Sequence, residues 1–346
     1  MKQIILFFFI IVTISETSVA QKDIRNAYEQ ITYSVVNIEN EFIEKTSNDS
    51  IGKIKKTSGT GFLTLYKDFH FLITARHIAE KISSNSKIYF SNRNRLPYII
   101  KFGDLINFEP AKWTYNKESD VAIHLISPTQ EYLDSLKILY INPVGMQKDK
   151  SPPKRDEDLT ILGFPLGLGI HNFFSPISKT TQAASDLVKL RRPEINKYYI
   201  YFLLSDPSIS GFSGAPLFLM PKTYWEGSTK YTRSGVKFVG LVSATISDNT
   251  GGKFAAVVPS YLVFESLQKA RNFTLNFNFK YSNGKQWQGL YYKNGKPWTV
   301  IYNYAPNGNP QEKGSLKNGN GTLYNYDRNG KLIFIENFKD GVQIPL

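Results

Sequence analysis

The sequence predicts an all-β chain, and three observations predict it. Aromatic residues make up 14% of the 346 residues, a share that suits pleated, half-buried surfaces. Between residues 34 and 258, short apolar runs alternate with polar turns, and no long amphipathic helix interrupts them. From residue 273 on, Asn-Gly and Asp-Gly pairs recur between aromatic segments, which marks tight hairpin turns. The length suggests about two domains, and 41% hydrophobic residues supply a sizeable core.

The N-terminus reads as a signal peptide, residues 1–20. Lys2 is the positive n-region, Ile4 to Ile14 is a short apolar run, and Ser18-Val19-Ala20 offers small residues for cleavage before Gln21. The run is short for a membrane span, which an uncleaved anchor would need. The chain has no cysteine, so disulfides, thiolate ligands and a Cys nucleophile are excluded. Export without cysteine fits a bacterial exported protein: periplasmic, on the outer surface or secreted. The formal charge is +13, compatible with acidic partners. No nucleic-acid motif is present, and the basic clusters Lys53 to Lys56 and Lys189 to Arg192 read as solvated surface.

In chain order, Asp23 to Ile31 suits a short helix, and Ser34 to Ile38 begins the strands. Gly59 to Leu63 and Phe71 to Thr74 flank a turn at Lys67-Asp68, with further strands through Val121 to Ile126. A charged break with Pro152-Pro153 follows. A second strand series runs from Leu159 to Val258, interrupted by a polar, basic stretch, Ser178 to Lys197, that reads as a loop. Ser260 to Arg271 suits a helix with Ser260 as cap and Leu262, Val263 and Leu267 inward. Two β-barrels, about 30–147 and 158–258, and this helix account for the chain up to residue 272. Beyond it, Phe273 to Tyr281 alternates with period two. Asn-Gly or Asp-Gly then recurs at an eleven-residue spacing, with one two-residue slip before Gly308. Such hairpins bury their aromatics only against neighbours.

The chemistry centres on Gly211-Phe212-Ser213-Gly214-Ala215-Pro216. Two glycines around a serine allow a tight turn that exposes Oγ and aims N–H groups at one point; an ordinary loop has the same composition. All four histidines precede Ser213, which excludes the order Ser…Asp…His, and Ala215 breaks the pattern G-x-S-x-G. His…Asp…Ser remains. His77 ends an apolar strand, whereas His70 lies in a turn, His171 in a Gly-rich loop and His124 inside a strand. Asp120 opens the strand Val121 to Ile126, where it could be buried beside an imidazole or merely cap a loop. No H-E-x-x-H pair occurs.

The blocks Ser34-Val35-Val36, Gly59-Thr60-Gly61-Phe62, Thr74-Ala75-Arg76-His77, Asp120-Val121-Ala122, Gly163-Phe164-Pro165, Gly211 to Pro216 and Gly240 to Ser243 together resemble trypsin/chymotrypsin-like serine peptidases. The nearest kinds are bacterial, of the high-temperature-requirement or glutamyl-endopeptidase type. The resemblance implies two six-stranded-type barrels packed face to face over residues 21–272. It implies Ser213 as nucleophile, His77 as general base and Asp120 as orienting acid. The N–H groups of Gly211 and Ser213 would form the oxyanion hole, and Ser243 would bond the buried aspartate. Pro207, Ala244 and Thr245 would support or bind a protein or peptide substrate. No metal or other cofactor is implied.

Pro207 stands at the position of the specificity residue, with Asp206 one place off. Phe212 replaces the carboxylate that a zymogen-type activation needs, and is expected to be a buried apolar anchor. The blocks Tyr291 to Lys296 and Tyr326 to Lys331 resemble MORN-type repeats. The module 273–346 is therefore either a structural extension or a site for a protein or envelope component. A catalytically silent peptide binder, or an envelope scaffold acting through its repeats, is the alternative to an endopeptidase. Oligomeric state is not legible.

Overall fold

Pairing of the short apolar runs into antiparallel ladders builds the five sheets of the described residues, and the fold class is all-β. The computed structural model describes residues 26–29, 31–44, 53–192, 196–233 and 235–345. The expected signal peptide, residues 1–20, lies outside the described residues.

The first sheet uses β1 (Val35–Glu44), β2 (Lys53–Tyr66), β3 (Phe69–Ala75), β4 (Lys87–Ser91) and β5 (Pro97–Lys101). After the two-residue strands β6 (Phe108–Glu109) and β7 (Thr114–Tyr115) comes β8 (Val121–Ile126). The order is β5-β4-β1-β2-β3-β8-β7. It curls shut: just past β5 and β8, Ser127 N donates to the Leu105 carbonyl. Six strands thus close a barrel, with β7 as a short outrigger. Lys67 and Asp68 both take positive φ, as a type I′ hairpin requires.

The second sheet holds β9 (Leu159–Gly163), β10 (Ile177–Thr181), β11 (Val188–Arg192), β12 (Lys197–Leu204) and β13 (Pro216–Leu219). A side hairpin, β14 (Lys222–Glu226) and β15 (Thr229–Arg233), precedes β16 (Lys237–Ser247) and β17 (Lys253–Pro259). The order is β10-β9-β13-β16-β17-β12-β11. Beyond β10 the chain returns beside β12, through Ala184 N to the Leu203 carbonyl and Ser205 N to the Gln182 carbonyl, and this barrel closes too. Half of the expected loop Ser178 to Lys197 is therefore strand, chiefly β10 and β11. Its polarity reflects one exposed face, and on β11 Val188, Leu190 and Arg192 share the inner one.

The helix Ser260–Arg271 lies against the first barrel, and the buried Asn116 amide donates to Ser266 Oγ at 2.7 Å. Leu262, Val263 and Leu267 point inward as expected. Ser260 is not the cap: Pro259 holds that position, and Ser260 is the first helical residue.

The tail comprises β18 (Leu275–Lys280), β19 (Gln286–Lys293), β20 (Lys296–Asn303), β21 (Gly321–Tyr326), β22 (Leu332–Lys339) and β23 (Val342–Ile344). Its first strand pairs with β6, which lies between barrel strands in sequence but outside the barrel sheet, Phe277 opposite Phe108. Leu275 and Phe277 belong to the same buried cluster as the barrel core. The eleven-residue period is half of the structural one. At Asn294-Gly295, Asn318-Gly319 and Asp340-Gly341 both residues have positive φ, whereas at Gly284, Gly308 and Gly330 only the glycine does. The two turn types alternate, and the first type stacks: Gly319 N donates to the Trp298 carbonyl and Gly341 N to the Gly319 carbonyl.

Two measurements follow from this packing. A chain ending at Asn272 uncovers Phe69 and Phe108, which contact Phe277, so its thermal midpoint should fall below that of the full chain; equal midpoints would show that β18 adds nothing. His124 sits among Phe102, Phe108 and Trp113, and burial pushes it down to about 4 from 6.5. The folded state thus resists a proton that the unfolded chain accepts. Stability is full above 6.5 and falls by about 3 kcal/mol as pH drops through 4. Urea titrations at pH 7 and pH 4 should show this loss in the parent and a smaller one in His124→Phe.

Candidate active site

The site begins with a register. Strands β3 and β8 pair with Ala75 opposite Val121, so the residues just after β3 and just before β8 face each other. Those are His77, in the short helix Arg76–Ala79, and Asp120. The chain is tied there twice by backbone: Arg76 N donates to the Asp120 carbonyl at 3.2 Å, and His77 N to Asp120 Oδ1 at 3.1 Å. His77 Nδ1 lies 2.7 Å from Asp120 Oδ2, which leaves the Nε2 edge directed away from the carboxylate. His124 is a core residue, His171 is exposed and His70 packs on Tyr140. Among the described residues His77 alone of the four pairs with a carboxylate.

Asp120 is 2% exposed and gathers donors from both barrels. Ser243 Oγ donates to Oδ2 at 2.5 Å, and Arg192 Nη1 reaches the same oxygen at 3.1 Å. Burial alone would raise this carboxyl, but the His77 hydrogen bond and charge, the Ser243 hydroxyl and the Arg192 guanidinium together hold it below the usual carboxylate range. Ser243 can serve because β16 bulges there. Pairing with β17 shifts between Val242 and Ala244, and the extra residue re-aims its side chain.

Ser213 reaches the same cluster from the second barrel. Gly214 N donates to the Val242 carbonyl, and Ser213 Oγ donates to the Ser243 carbonyl at 3.1 Å. Ser243 thus touches Asp120 through its hydroxyl and Ser213 through its backbone. Among the described residues the Ser213 hydroxyl forms this hydrogen bond and none to His77.

The turn before Ser213 is held from behind. The Ser210 carbonyl accepts from Leu166 N at 2.7 Å, and the Phe212 carbonyl accepts from Ala215 N at 2.8 Å. A trans peptide puts its N–H opposite its C=O, so the Gly211 and Ser213 N–H groups face the other way. Among the described residues neither has a hydrogen-bond partner. Gly211 and Gly214 have φ of +99 and +88°, and a Cβ on Gly214 would come within 2.0 Å of the Thr60 carbonyl oxygen, so glycine is required there. Phe212 is 1% exposed and packs with Ala215, Leu217 and Val242 in the second barrel's core, the apolar anchor expected for it.

The remaining expected residues lie around this turn. Pro207 is half-buried and its carbonyl accepts from Lys179 Nζ at 2.8 Å. Thr245 Oγ1 donates to the Ser208 carbonyl at 2.9 Å, bracing the segment before Gly211 against β16, and Ala244 follows the bulge.

Three contributors escaped the sequence reading. Thr60, quoted only within a motif, donates through N to the Ser213 carbonyl and through Oγ1 to the Gly211 carbonyl at 2.7 Å, and accepts from Phe164 N. Leu166 holds the Ser210 peptide. Arg192, expected on a solvated surface, turns inward; the alternation Val188, Leu190, Arg192 was the available signal.

No protein-family model matches the sequence, and no curated protein matches it significantly. Among solved structures, the chain is similar to the HtrA-type protease AlgW with a decapeptide. It is 14% identical to a serine-to-alanine variant of that protease, with a TM-score of 0.43, covering 73% of this chain and 69% of that one. A second AlgW structure gives 14% identity and a TM-score of 0.40, covering 72% and 66%. Among the described residues no helix is long and apolar enough to cross a membrane.

Thr60 supplies the test of this geometry. Thr60→Val keeps the volume but strands the Gly211 carbonyl and the Phe164 N–H in a buried place. It should cost about 1–3 kcal/mol, read from denaturant unfolding; an unchanged midpoint would mean these groups find other partners.

Proposed function

We propose that the protein is an exported serine endopeptidase that hydrolyses peptide bonds through Ser213, His77 and Asp120. The observation that carries this reading is the buried Asp120 carboxylate, bonded at once to His77 Nδ1 and to the Ser243 hydroxyl, beside a turn whose Gly211 and Ser213 N–H groups are unengaged. A carboxylate at Nδ1 fixes the tautomer that leaves Nε2 as a base.

In the reaction, the Ser213 hydroxyl rotates from the Ser243 carbonyl toward His77 and gives its proton to Nε2. Oγ attacks the scissile carbonyl carbon. The negative charge that develops on the carbonyl oxygen meets the N–H groups of Gly211 and Ser213, which are already oriented and cost no reorganisation. His77 then protonates the leaving amine, and an acyl group remains on Ser213. Water, deprotonated by His77, releases it. Ser243 to Thr245 on β16 pairs with the substrate backbone, and Pro207 lies at the primary side-chain subsite. Residues 1–20 direct export, 21–272 form the peptidase unit, and 273–346 form a MORN-like module for a protein or envelope component.

A second reading is a catalytically silent binder of peptides, favoured by the hydrogen bond of the Ser213 hydroxyl, which goes to the Ser243 carbonyl and not to His77. A fluorophosphonate probe separates the two. It should label the parent and fail on Ser213→Ala and His77→Ala, and Asp120→Asn should slow turnover about 10⁴-fold while folding normally. Absence of labelling in a folded parent would favour the silent reading.

A further inference from the structure

The carboxylate of Asp120 has about four acceptor positions, two on each oxygen, and four donors meet it unevenly, three of them on Oδ2. His77 N is on Oδ1, and His77 Nδ1, Ser243 Oγ and Arg192 Nη1 are on Oδ2. The fourth donor is the unexpected one. Arg192 ends β11, the last strand in the order of the second sheet, yet its side chain is only 18% exposed and also reaches Ser243 Oγ at 3.4 Å. It is a fixed positive charge sharing one oxygen with the imidazole.

Resting on the peptidase reading above, we propose that Arg192 is a positioning residue. It holds the Asp120 carboxylate as half of an ion pair and so limits how strongly that carboxylate favours protonated His77.

The electrostatics follow from the neighbours. An anion within about 4–6 Å stabilises an imidazolium, and a cation beside that anion offsets the effect. The other charged and titratable groups are few. On the side of His77, Arg76 is paired with Glu80 at 2.7 Å and stacked on the Tyr115 ring, so its charge is largely met. From β12, the Tyr199 hydroxyl accepts from Arg76. Tyr201, also on β12, is buried, and burial pushes its phenol up to about 12, so it stays neutral. Arg192 is therefore the one cation bonded to Asp120 among the described residues. Its charge offsets that of Asp120 at the imidazole, at some loss in stabilising the imidazolium that forms during turnover.

The arrangement also bears on order. Asp120 belongs to the first barrel and Ser243 to the second, and Arg192 contacts both. Its guanidinium donors are forked and planar, so a lysine can supply the charge but not both contacts in the same geometry.

The test uses the full chain and the rate of fluorophosphonate labelling of Ser213 as a function of pH, which needs no knowledge of the substrate. In Arg192→Gln and Arg192→Met the acid limb should move to higher pH by about half a unit or more. Arg192→Lys should keep the limb near that of the parent with a lower rate. Arg191→Gln, on the exposed face of the same strand, should match the parent.

A uniform fall in rate in the neutral variants, with the limb unmoved, would overturn the proposal and leave Arg192 a purely structural residue. If the parent is not labelled at any pH, the peptidase reading fails, and the proposal is read separately. NMR titration of the His77 ring, assigned with His77→Asn, should then move to higher pH in Arg192→Met, and coincident curves would overturn it.

Discussion

A carboxylate at 2% exposure is the constraint on which the rest of this structure depends. An unpaired charge in such a place is prohibitive, so Asp120 must be met by donors. They come from the helix after β3, from the bulge in β16 and from the end of β11. One barrel supplies Asp120 and His77; the other supplies Ser243 and Arg192. The two units are therefore held together at this point by what the carboxylate demands. The bulge at Ser243 and the inward turn of Arg192 are local departures from regular strand that satisfy it.

The same junction sets the orientation of the backbone around Ser213. Thr60, in the first barrel, is buried with its N–H on the Ser213 carbonyl and its hydroxyl on the Gly211 carbonyl. Its own carbonyl accepts from Thr74 Oγ1, two residues from the start of the helix that carries His77. The positions of His77 and of the Ser213 turn are thus coupled through one threonine. Phe212 completes the arrangement from the opposite side, since a phenyl ring in the second core holds the turn without an ion pair. A turn fixed by packing and hydrogen bonds keeps the N–H groups of Gly211 and Ser213 in one orientation.

Much of this was legible in the sequence, for identifiable reasons. Strands were readable because one face of each is apolar, and the positions of His77 and Asp120 at strand ends made their meeting plausible. Glycines at 211 and 214 were readable because no other residue fits positive φ with a carbonyl 2.0–2.4 Å from a would-be Cβ. The stretch 178–197 was misread because β10 and β11 carry polar residues on their outer faces, and polarity was taken for irregularity. Arg192 was lost with it: a cluster of cations suggests solvent, while the alternation along the strand pointed inward. Thr60 was invisible in its role, since nothing local to Gly59-Thr60-Gly61 reveals a partner 151 residues away. The eleven-residue period was real, but the conformations of its turns depend on which neighbour each one stacks upon.

That dependence on neighbours explains where the tail begins. A hairpin with aromatics on one face cannot bury them alone and needs a surface to start from. The first barrel offers one. Strand β6 supplies two residues of free edge, and Phe69 and Phe108 present rings to Phe273 and Phe277. Arg271, at the end of the preceding helix, lies over Phe69 and bonds the Gly295 carbonyl in the first type I′ turn. Once β18 is seated, the later turns follow by stacking, Gly319 on Trp298 and Gly341 on Gly319. A smaller core of Leu290, Val300, Leu316, Leu323 and Phe338 forms inside the stack. The register of the repeats is therefore inherited from the barrel, and the seam between the two units lies within a continuous sheet rather than at a linker.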